Sequence, residues 1–344
     1  MLRCRTADFV EPDMDWEAEH YRQAGVDFKA YALSTADVKT LAAYVGDAHV
    51  LIVDQTPVGA ELIARLTDAR LIIRHGDGYD SVDVDAATAA GIAVANKPGF
   101  WSMEAAEHAM VLTMVVAAHL PLQQQVAARI GQAPEEPWRR SLLYPIPRLR
   151  GRTVGIFGFG KIGRHYARFM HTLGCPVIVY DHRKQPEAIR AEGYYPVDFD
   201  TFLRESDILS IHTPATEQTR GRFNRETIGK MKQDAVLINT ARGSIVDTDA
   251  LTEALQTGRL RGAGLDVTDP EPLPQDHPLL RMPQVVVTPH LAWYSEEAMW
   301  AMRESIVEDV INLAQGIMPT SVVNPEVLPE TPGHSSRSLV PDHQ

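Results

Sequence analysis
The stretch Val154-Gly155-Ile156-Phe157-Gly158-Phe159-Gly160-Lys161-Ile162-Gly163 decides how this chain is read. It is an apolar run that ends in G-x-G-x-x-G and opens into a helix-like segment, Arg164 to Leu173. Glycines at that spacing let a strand turn tightly into a helix, let backbone approach a pyrophosphate, and let the helix lie close on the sheet. The helix N-terminus adds unpaired N–H groups and a partial positive charge, so the stretch is suited to an anion. A glycine-rich turn alone says little, and the residues after it decide. A second apolar run, Val177-Ile178-Val179-Tyr180, ends on Asp181 at the place where a ribose-binding carboxylate should stand. Such an acid accepts hydrogen bonds from the adenosine ribose hydroxyls and repels a 2′-phosphate. The pattern predicts an NAD site that includes Gly158, Gly160, Lys161, Ile162, Gly163 and Asp181, with Arg183 and Lys184 softening the preference over NADP.

The chain has 344 residues, 44% of them hydrophobic and 23% charged, which suits a two-domain globular enzyme. Its 45 acidic and 33 basic side chains leave a formal charge of −12, which argues against nucleic acid or an anionic membrane as the main partner. Cys4 and Cys175 stand alone and far apart, without disulfide or metal-ligand spacing. No metal is expected. The amino terminus lacks the apolar core of a signal peptide and no later run is long enough to span a bilayer, so a cytoplasmic enzyme is expected.

Up to residue 95, apolar runs at His49 to Val53, Leu71 to Arg74 and Ile92 to Ala95 alternate with helical segments at Gly59 to Leu66 and Val84 to Ala90. A break at Pro98-Gly99 precedes a long apolar helix from Ala105 to His119 and marks a domain crossing. Residues 131–150 are rich in proline and arginine and long for an internal loop, and Trp138 there is a candidate dimer anchor. From Gly151 the alternation resumes, with strands expected at Thr153 to Phe157, Val177 to Tyr180, Ile208 to His212, Ala235 to Asn239, Gly262 to Val267 and Val285 to Thr288. This is the pattern of an α/β fold with a doubly wound parallel sheet, whose ligands collect beyond the carboxyl ends of the strands. The polar residues just past those ends therefore carry the chemistry: Thr213-Pro214, Thr240 to Gly243, Asp266 to Glu271, and Pro289-His290.

Three of those segments, Asn239-Thr240-Ala241-Arg242-Gly243-Ser244-Ile245-Val246-Asp247, Gly264-Leu265-Asp266-Val267 with Glu271-Pro272-Leu273, and Thr288-Pro289-His290, carry a family resemblance. With Gly76 to Asp83 and the glycine fingerprint, the chain up to about Val327 resembles the D-isomer-specific 2-hydroxyacid dehydrogenases. Ala292-Trp293-Tyr294-Ser295-Glu296 is similar to the branch of C-terminal-binding proteins. The resemblance implies two doubly wound lobes: a Rossmann cofactor domain, residues 104–291, inserted in a flavodoxin-like substrate domain, residues 1–103 and 292–328. It also implies a homodimer, lobes that close on a hinge, and a nicotinamide and ribose pocket lined by Thr213, Pro214, Thr240, Ala241, Asp266 and His290. Residues 329–344 read as a disordered tail.

Oxidising a 2-hydroxy acid needs a base for the hydroxyl proton, a cation near the carboxylate, and a nicotinamide to take the hydride. His290 is the candidate acid/base because imidazole titrates near neutrality, Glu271 the carboxylate that orients it, and Arg242 the planar fork for the substrate. Taken singly, each has a bland explanation as a structural histidine, a solvated loop acid and a surface ion pair. On the resemblance, Gly76-Asp77-Gly78 form a cradle of backbone N–H groups for the substrate carboxylate, and Trp293 covers the substrate. Asp77 departs from the family pattern by placing a carboxylate beside an anionic ligand, with Arg74 and His75 near enough to offset it. An aromatic wall of Phe100, Trp101, Trp293 and Tyr294 favours a medium-sized 2-oxo acid with an apolar tail. Two other readings stay open: an NAD(H)-sensing corepressor-like scaffold, and a phosphoglycerate dehydrogenase drawing on Arg74 and the Arg139-Arg140 pair for phosphate.

Overall fold
Short apolar runs closed by turn residues form most of the strands, and helices carry the chain back between them. The computed structural model describes residues 1–9, 11, 13–132 and 145–328, so Trp138, the Arg139-Arg140 pair and residues 329–344 lie outside the described residues. The chain divides into two units, Met1–Phe100 with Met299–Gln344, and Trp101–Ala298.

In chain order the first unit holds β1 (Arg3–Thr6), α1 (Asp15–Gln23), β2 (Asp27–Ala30), α2 (Val38–Val45), β3 (Val50–Val53), α3 (Ala60–Ile63), β4 (Leu71–Arg74), α4 (Val84–Ala89) and β5 (Ala93–Ala95). Its five strands are parallel, in the order β2-β1-β3-β4-β5, a flavodoxin-like sheet. All of β3 and the first three residues of β4 are buried, which is why they read as continuous apolar runs. Strand β1 is different. Arg5 in its middle is 1% exposed, and its guanidinium donates to Asp27 and Asp47 at 2.8 Å each. Burial opposes that charge, but the two carboxylates outweigh it and raise the pKa further. Residues 321–324 run beside β5, where the Val323 N–H donates to the Val94 carbonyl at 2.8 Å. There the Asn324 amide oxygen accepts from Val94 at 2.7 Å, and its NH2 donates to the Ile92 carbonyl and the Thr88 hydroxyl at 2.9 Å each.

The second unit holds α5 (Ser102–Ala117), α6 (Leu120–Gln132), β6 (Val154–Phe157), α7 (Lys161–Thr172), β7 (Val177–Tyr180), α8 (Pro186–Ala191), β8 (Tyr195–Pro196), α9 (Phe199–Glu205), β9 (Ile208–Ile211), α10 (Arg225–Lys230), β10 (Ala235–Asn239), α11 (Thr248–Gln256), β11 (Leu260–Leu265) and β12 (Val285–Val287). Helix α12 (Glu296–Ala314) begins in this unit and continues into the other. The seven strands are parallel, in the order β12-β11-β10-β9-β6-β7-β8. The order reverses between β6 and β9, the point at which such sheets bind dinucleotides. Phe157, Phe202, Phe223, Leu237 and Leu251 belong to one buried cluster of this unit, and Leu112, Ile156, Tyr166 and Met170 to another.

The second crossing between units falls after Ala298, seven residues beyond the position read from the sequence. The loop after His290 stays with the second unit because Asp266 accepts the N–H groups of Leu291 at 3.0 Å and Ala292 at 2.9 Å, and Ser295 donates to Glu104 at 2.8 Å. Among the described residues no single helix is long and apolar enough to cross a membrane, and no group of His, Cys, Asp and Glu could hold a metal ion. Cys4 and Cys175 are buried thiols, both pushed up by that burial.

Candidate active site
Strand β6 ends at Phe157, and the next three glycines make the turn. Gly158 has φ of 99°, and a Cβ on it would lie 2.6 Å from the His212 carbonyl oxygen. A Cβ on Gly163 would lie 2.2 Å from the Gly158 oxygen, so this glycine lets α7 seat against the turn. A Cβ on Gly160, by contrast, would meet nothing within 4 Å. Gly160 is the N-cap of α7, no side chain caps the helix, and no acid stands in its first turn. Those open N–H groups fit a pyrophosphate. Asp181 points its carboxylate back at the loop, accepting from Phe159 at 2.7 Å, Arg183 at 2.8 Å and Lys184 at 3.0 Å.

Across the switch point, β9 ends near His212 and Thr213. His212 is buried, accepts or donates at Nε2 with Ser210 at 2.8 Å, and is driven by burial to a pKa of about 3, so it is neutral. Thr213 is buried beside Gly158, while Pro214 is exposed and its carbonyl accepts the Thr219 hydroxyl at 2.7 Å. Thr240, just past β10, carries a buried hydroxyl with no hydrogen-bond partner among the described residues, which a bound ligand would satisfy. The residues present therefore fit a dinucleotide.

The turn after β10 is built by Asn239. Its side-chain oxygen accepts from Ala241 at 3.0 Å and its NH2 donates to the Arg242 carbonyl at 2.9 Å, an Asx-type closure that fixes the backbone of Arg242. The Arg242 guanidinium donates to the Ala241 carbonyl at 2.7 Å. Gly243 packs so closely on the next loop that a Cβ would sit 1.9 Å from the Thr268 oxygen. That contact brings the Arg242 turn against the loop that carries Glu271. There His290 Nδ1 and Glu271 Oε1 are 2.5 Å apart, both side chains partly exposed. Burial pushes the Glu271 carboxyl up, but hydrogen bonds from His290 and Thr268 and the charges of His290 and Arg242 outweigh it and hold it below the usual range. An ionised Glu271 fixes the proton of His290 on Nδ1 and leaves Nε2 for chemistry.

His290 itself has φ of 56°, unusual for a residue with a side chain. Its N–H donates to the Asp266 carbonyl at 2.9 Å. Asp266, expected on the cofactor, is 2% exposed and turns its carboxylate under this loop, onto the Thr288 hydroxyl at 2.6 Å and the Leu291 and Ala292 N–H groups. Those bonds shape the loop from beneath. Trp293 is half-buried and donates Nε1–H to the His290 carbonyl at 2.9 Å. Its ring meets Trp101 edge-on at 5.7 Å, so two members of the expected aromatic wall stand together, while Tyr294 is largely exposed.

One folded unit thus sets a hydrogen-bonded histidine–carboxylate pair and an arginine at the strand ends of a parallel sheet with a glycine-rich turn. Residues 109–292 match the model of the D-isomer specific 2-hydroxyacid dehydrogenase NAD-binding domain. The chain belongs to this family. It is an NAD-dependent oxidoreductase of 2-hydroxy acids. The chain is 37% identical over 275 residues to D-3-phosphoglycerate dehydrogenase of Archaeoglobus fulgidus, covering 80% of itself but spanning about half, 51%, of that protein. It is 36% identical over 292 residues to glyoxylate reductase of Thermococcus litoralis, covering 83% of itself and 86% of the relative. Protein TT0316 of Thermus thermophilus superposes with a TM-score of 0.83 at 32% identity, over 94% of this chain and 100% of that one.

Gly76, Asp77 and Gly78 lie in the first unit, past the end of β4. Gly76 has φ of 154°, and its carbonyl accepts the Lys97 N–H at 2.8 Å. Arg74 and His75 do not stand idle beside Asp77. Arg74 lies 3.8 Å from Asp54 and donates to the His75 carbonyl at 2.9 Å, while His75 Nε2 meets Glu11 at 3.1 Å. Asn239 is the residue that sequence reasoning passes over, although an Asn at a strand end before a turn is a known Asx signal.

Proposed function
We propose that this dehydrogenase works as a 2-oxo acid reductase in which His290 gives the proton, Glu271 orients His290, and Arg242 binds the substrate carboxylate and carbonyl. When bound, NADH would supply the hydride for substrate carbon 2. His290 Nε2 faces the developing alkoxide and delivers its proton there, and the adjacent Glu271 carboxylate stabilises the imidazolium before transfer. The planar Arg242 guanidinium is a fork of donors of the kind that suits a planar 2-oxo acid. Gly158, Gly160, Lys161, Ile162 and Gly163 take the pyrophosphate, Asp181 the ribose, and Thr213, Pro214, Thr240 and Ala241 the nicotinamide end. Gly76, Asp77 and Gly78 bind a carboxylate through backbone N–H groups, and the Trp293 indole selects a substrate with an apolar tail.

The observation that carries this reading is the 2.5 Å His290–Glu271 pair beside Arg242, with Arg242's charge felt at Glu271. We further propose a cytoplasmic homodimer joined through α5 and α6, where Val111, Met114 and Leu120 are 50%, 44% and 46% exposed in a single chain. Light scattering tests the dimer. The activity test is NADH oxidation across a panel of 2-oxo acids from glyoxylate to branched-chain members and 3-phosphohydroxypyruvate, with His290→Ala and Arg242→Ala. One acid should turn over efficiently, and both variants should lose at least about a hundredfold in kcat/KM. NADH binding with no turnover above the variants' background would replace the reductase by a cofactor-sensing scaffold.

A further inference from the structure
We infer that Glu104 and His108, one turn apart on α5, are positioning residues that grip both ends of the loop carrying His290. The inference rests on His290 being the acid/base group.

The loop from Thr288 to Ser295 is anchored by one face of α5 at three points. The Trp101 ring, at the N-cap, stands edge-on to Trp293 at 5.7 Å. Glu104 Oε1 accepts the Ser295 hydroxyl at 2.8 Å. His108 Nε2 lies 2.9 Å from the Thr288 hydroxyl. Spacings of three and four residues put all three on the same side of a helix, so the match is built into the sequence of α5. Two anchors act after His290 and one acts before it.

The proton order along this contact can be worked out. The Asp266 carboxylate, which can only accept while ionised, lies 2.6 Å from the Thr288 hydroxyl, so Thr288 donates to it. A hydroxyl has one proton, so the same oxygen accepts from His108, which must carry its proton on Nε2. His108 Nε2 is also 3.5 Å from Asp266 Oδ1, so it adds a second attraction to the same carboxylate. Asp266 in turn holds Leu291 and Ala292 through its carboxylate and the His290 N–H through its carbonyl. The chain of contacts from His108 therefore ends on the backbone of the residue that performs the chemistry. His290 needs such support, because its φ of 56° persists only when its surroundings over-determine it. Glu104 adds a second sign of purpose. Its Oε2 is buried without a hydrogen-bond partner among the described residues, so the carboxylate is held on Ser295 at a desolvation cost.

The test uses the full-length enzyme with NADH and its best 2-oxo acid, comparing His108→Leu, His108→Gln and Glu104→Gln with the unmodified protein. Displacing a proton donor by a fraction of an ångström lowers kcat, while cofactor and substrate binding groups stay in place. His108→Leu should lose about tenfold to a hundredfold in kcat with KM and the NADH Kd, read by fluorescence, within about twofold. His108→Gln retains an N–H at the same reach and should recover most of the loss. In a His290→Ala background, His108→Leu should have no further effect. If His290→Ala is inactive but His108→Leu keeps full kcat, the positioning role is refuted and the acid/base assignment stands. If KM, Kd and thermal stability all change with kcat and glutamine restores nothing, His108 is a packing residue and the inference falls. If His290→Ala itself stays active, the failure belongs to the acid/base assignment.

Discussion

Two alanine substitutions three residues apart should have opposite consequences. At Gly163 a new Cβ would stand 2.2 Å from the Gly158 carbonyl oxygen, about 1.2 Å inside the 3.4 Å at which ordinary contact begins. The obstacle is backbone and an alanine Cβ has no rotamer to change, so nothing short of a backbone shift relieves the overlap, and α7 has to lift from the turn. Overpacking of this kind costs about 1–3 kcal/mol. In a unit of this size that is a fall in Tm of roughly 2–4 °C per kcal/mol. At Gly160 the same methyl meets nothing within 4 Å, and φ there is not in the left-handed region. The folded chain should tolerate it with a Tm change under about 4 °C, since only an N-cap preference of around 1 kcal/mol or less is lost. The methyl would, however, occupy the space over the uncapped N-terminus of α7. NADH affinity should therefore fall by at least about tenfold for Gly160→Ala, close to 1.4 kcal/mol. Thermal melts with and without NADH, together with fluorescence titration, separate the two effects. A Gly160→Ala variant that binds NADH like the parent would refute the placement of the phosphates at this loop.

The remaining expectations concern the first unit. His75, 8% exposed, is opposed in its charge by burial, but Asp54 and Glu11 outweigh that and raise its pKa to about 9. Because the folded value lies above the unfolded value of about 6.5, its contribution is complete below pH 6.5 and is lost as pH rises through 9. Urea denaturation between pH 6 and 10 should show that decline, and His75→Asn should flatten it; an unchanged slope would sink the assignment. Arg303 and Glu17 form a buried pair, with Nη2 and Oε2 2.8 Å apart. Arg303→Met alone leaves a buried carboxylate uncompensated and should cost about 3–5 kcal/mol, whereas Arg303→Met with Glu17→Leu should recover most of it in chemical denaturation. Equal losses in both variants would show that the pair's charge is not what matters.

Much of this architecture is legible in the sequence because parallel strands are buried on both faces. Val177 to Tyr180 and Ala235 to Asn239 are strands over the residues that their apolar runs mark. Strand β1 is hidden by Arg5, since a buried cation needs partners, Asp27 and Asp47, that lie far along the chain. Strand β8 is two residues long and contains Pro196, so no periodicity betrays it. At the site, Arg242, Glu271 and His290 can be named from strand-end position and resemblance, and the structure brings them together on neighbouring loops. The role of Asp266 cannot, because the same acid at a strand end serves equally to bind a ligand or to cap a loop. Glu104 and His108 are likewise obscured: two polar residues in an apolar helix look like its solvent side until the loop that they hold is seen. The second crossing, after Ala298, is marked by no composition shift, as the loop beyond His290 is tied to the second unit by side chains.

The seam along β5 has a consequence for the order in which the protein is made. Asn324 supplies three hydrogen bonds to Thr88, Ile92 and Val94, and Val323 supplies a fourth. Everything needed to assemble the seven-stranded sheet has been synthesised by residue 298, but the five-stranded sheet keeps an open edge until residue 324 has left the ribosome. A nascent chain therefore completes its inserted unit first and carries an exposed parallel strand through that interval, which is the window in which a chaperone or an edge-to-edge encounter with another chain would act.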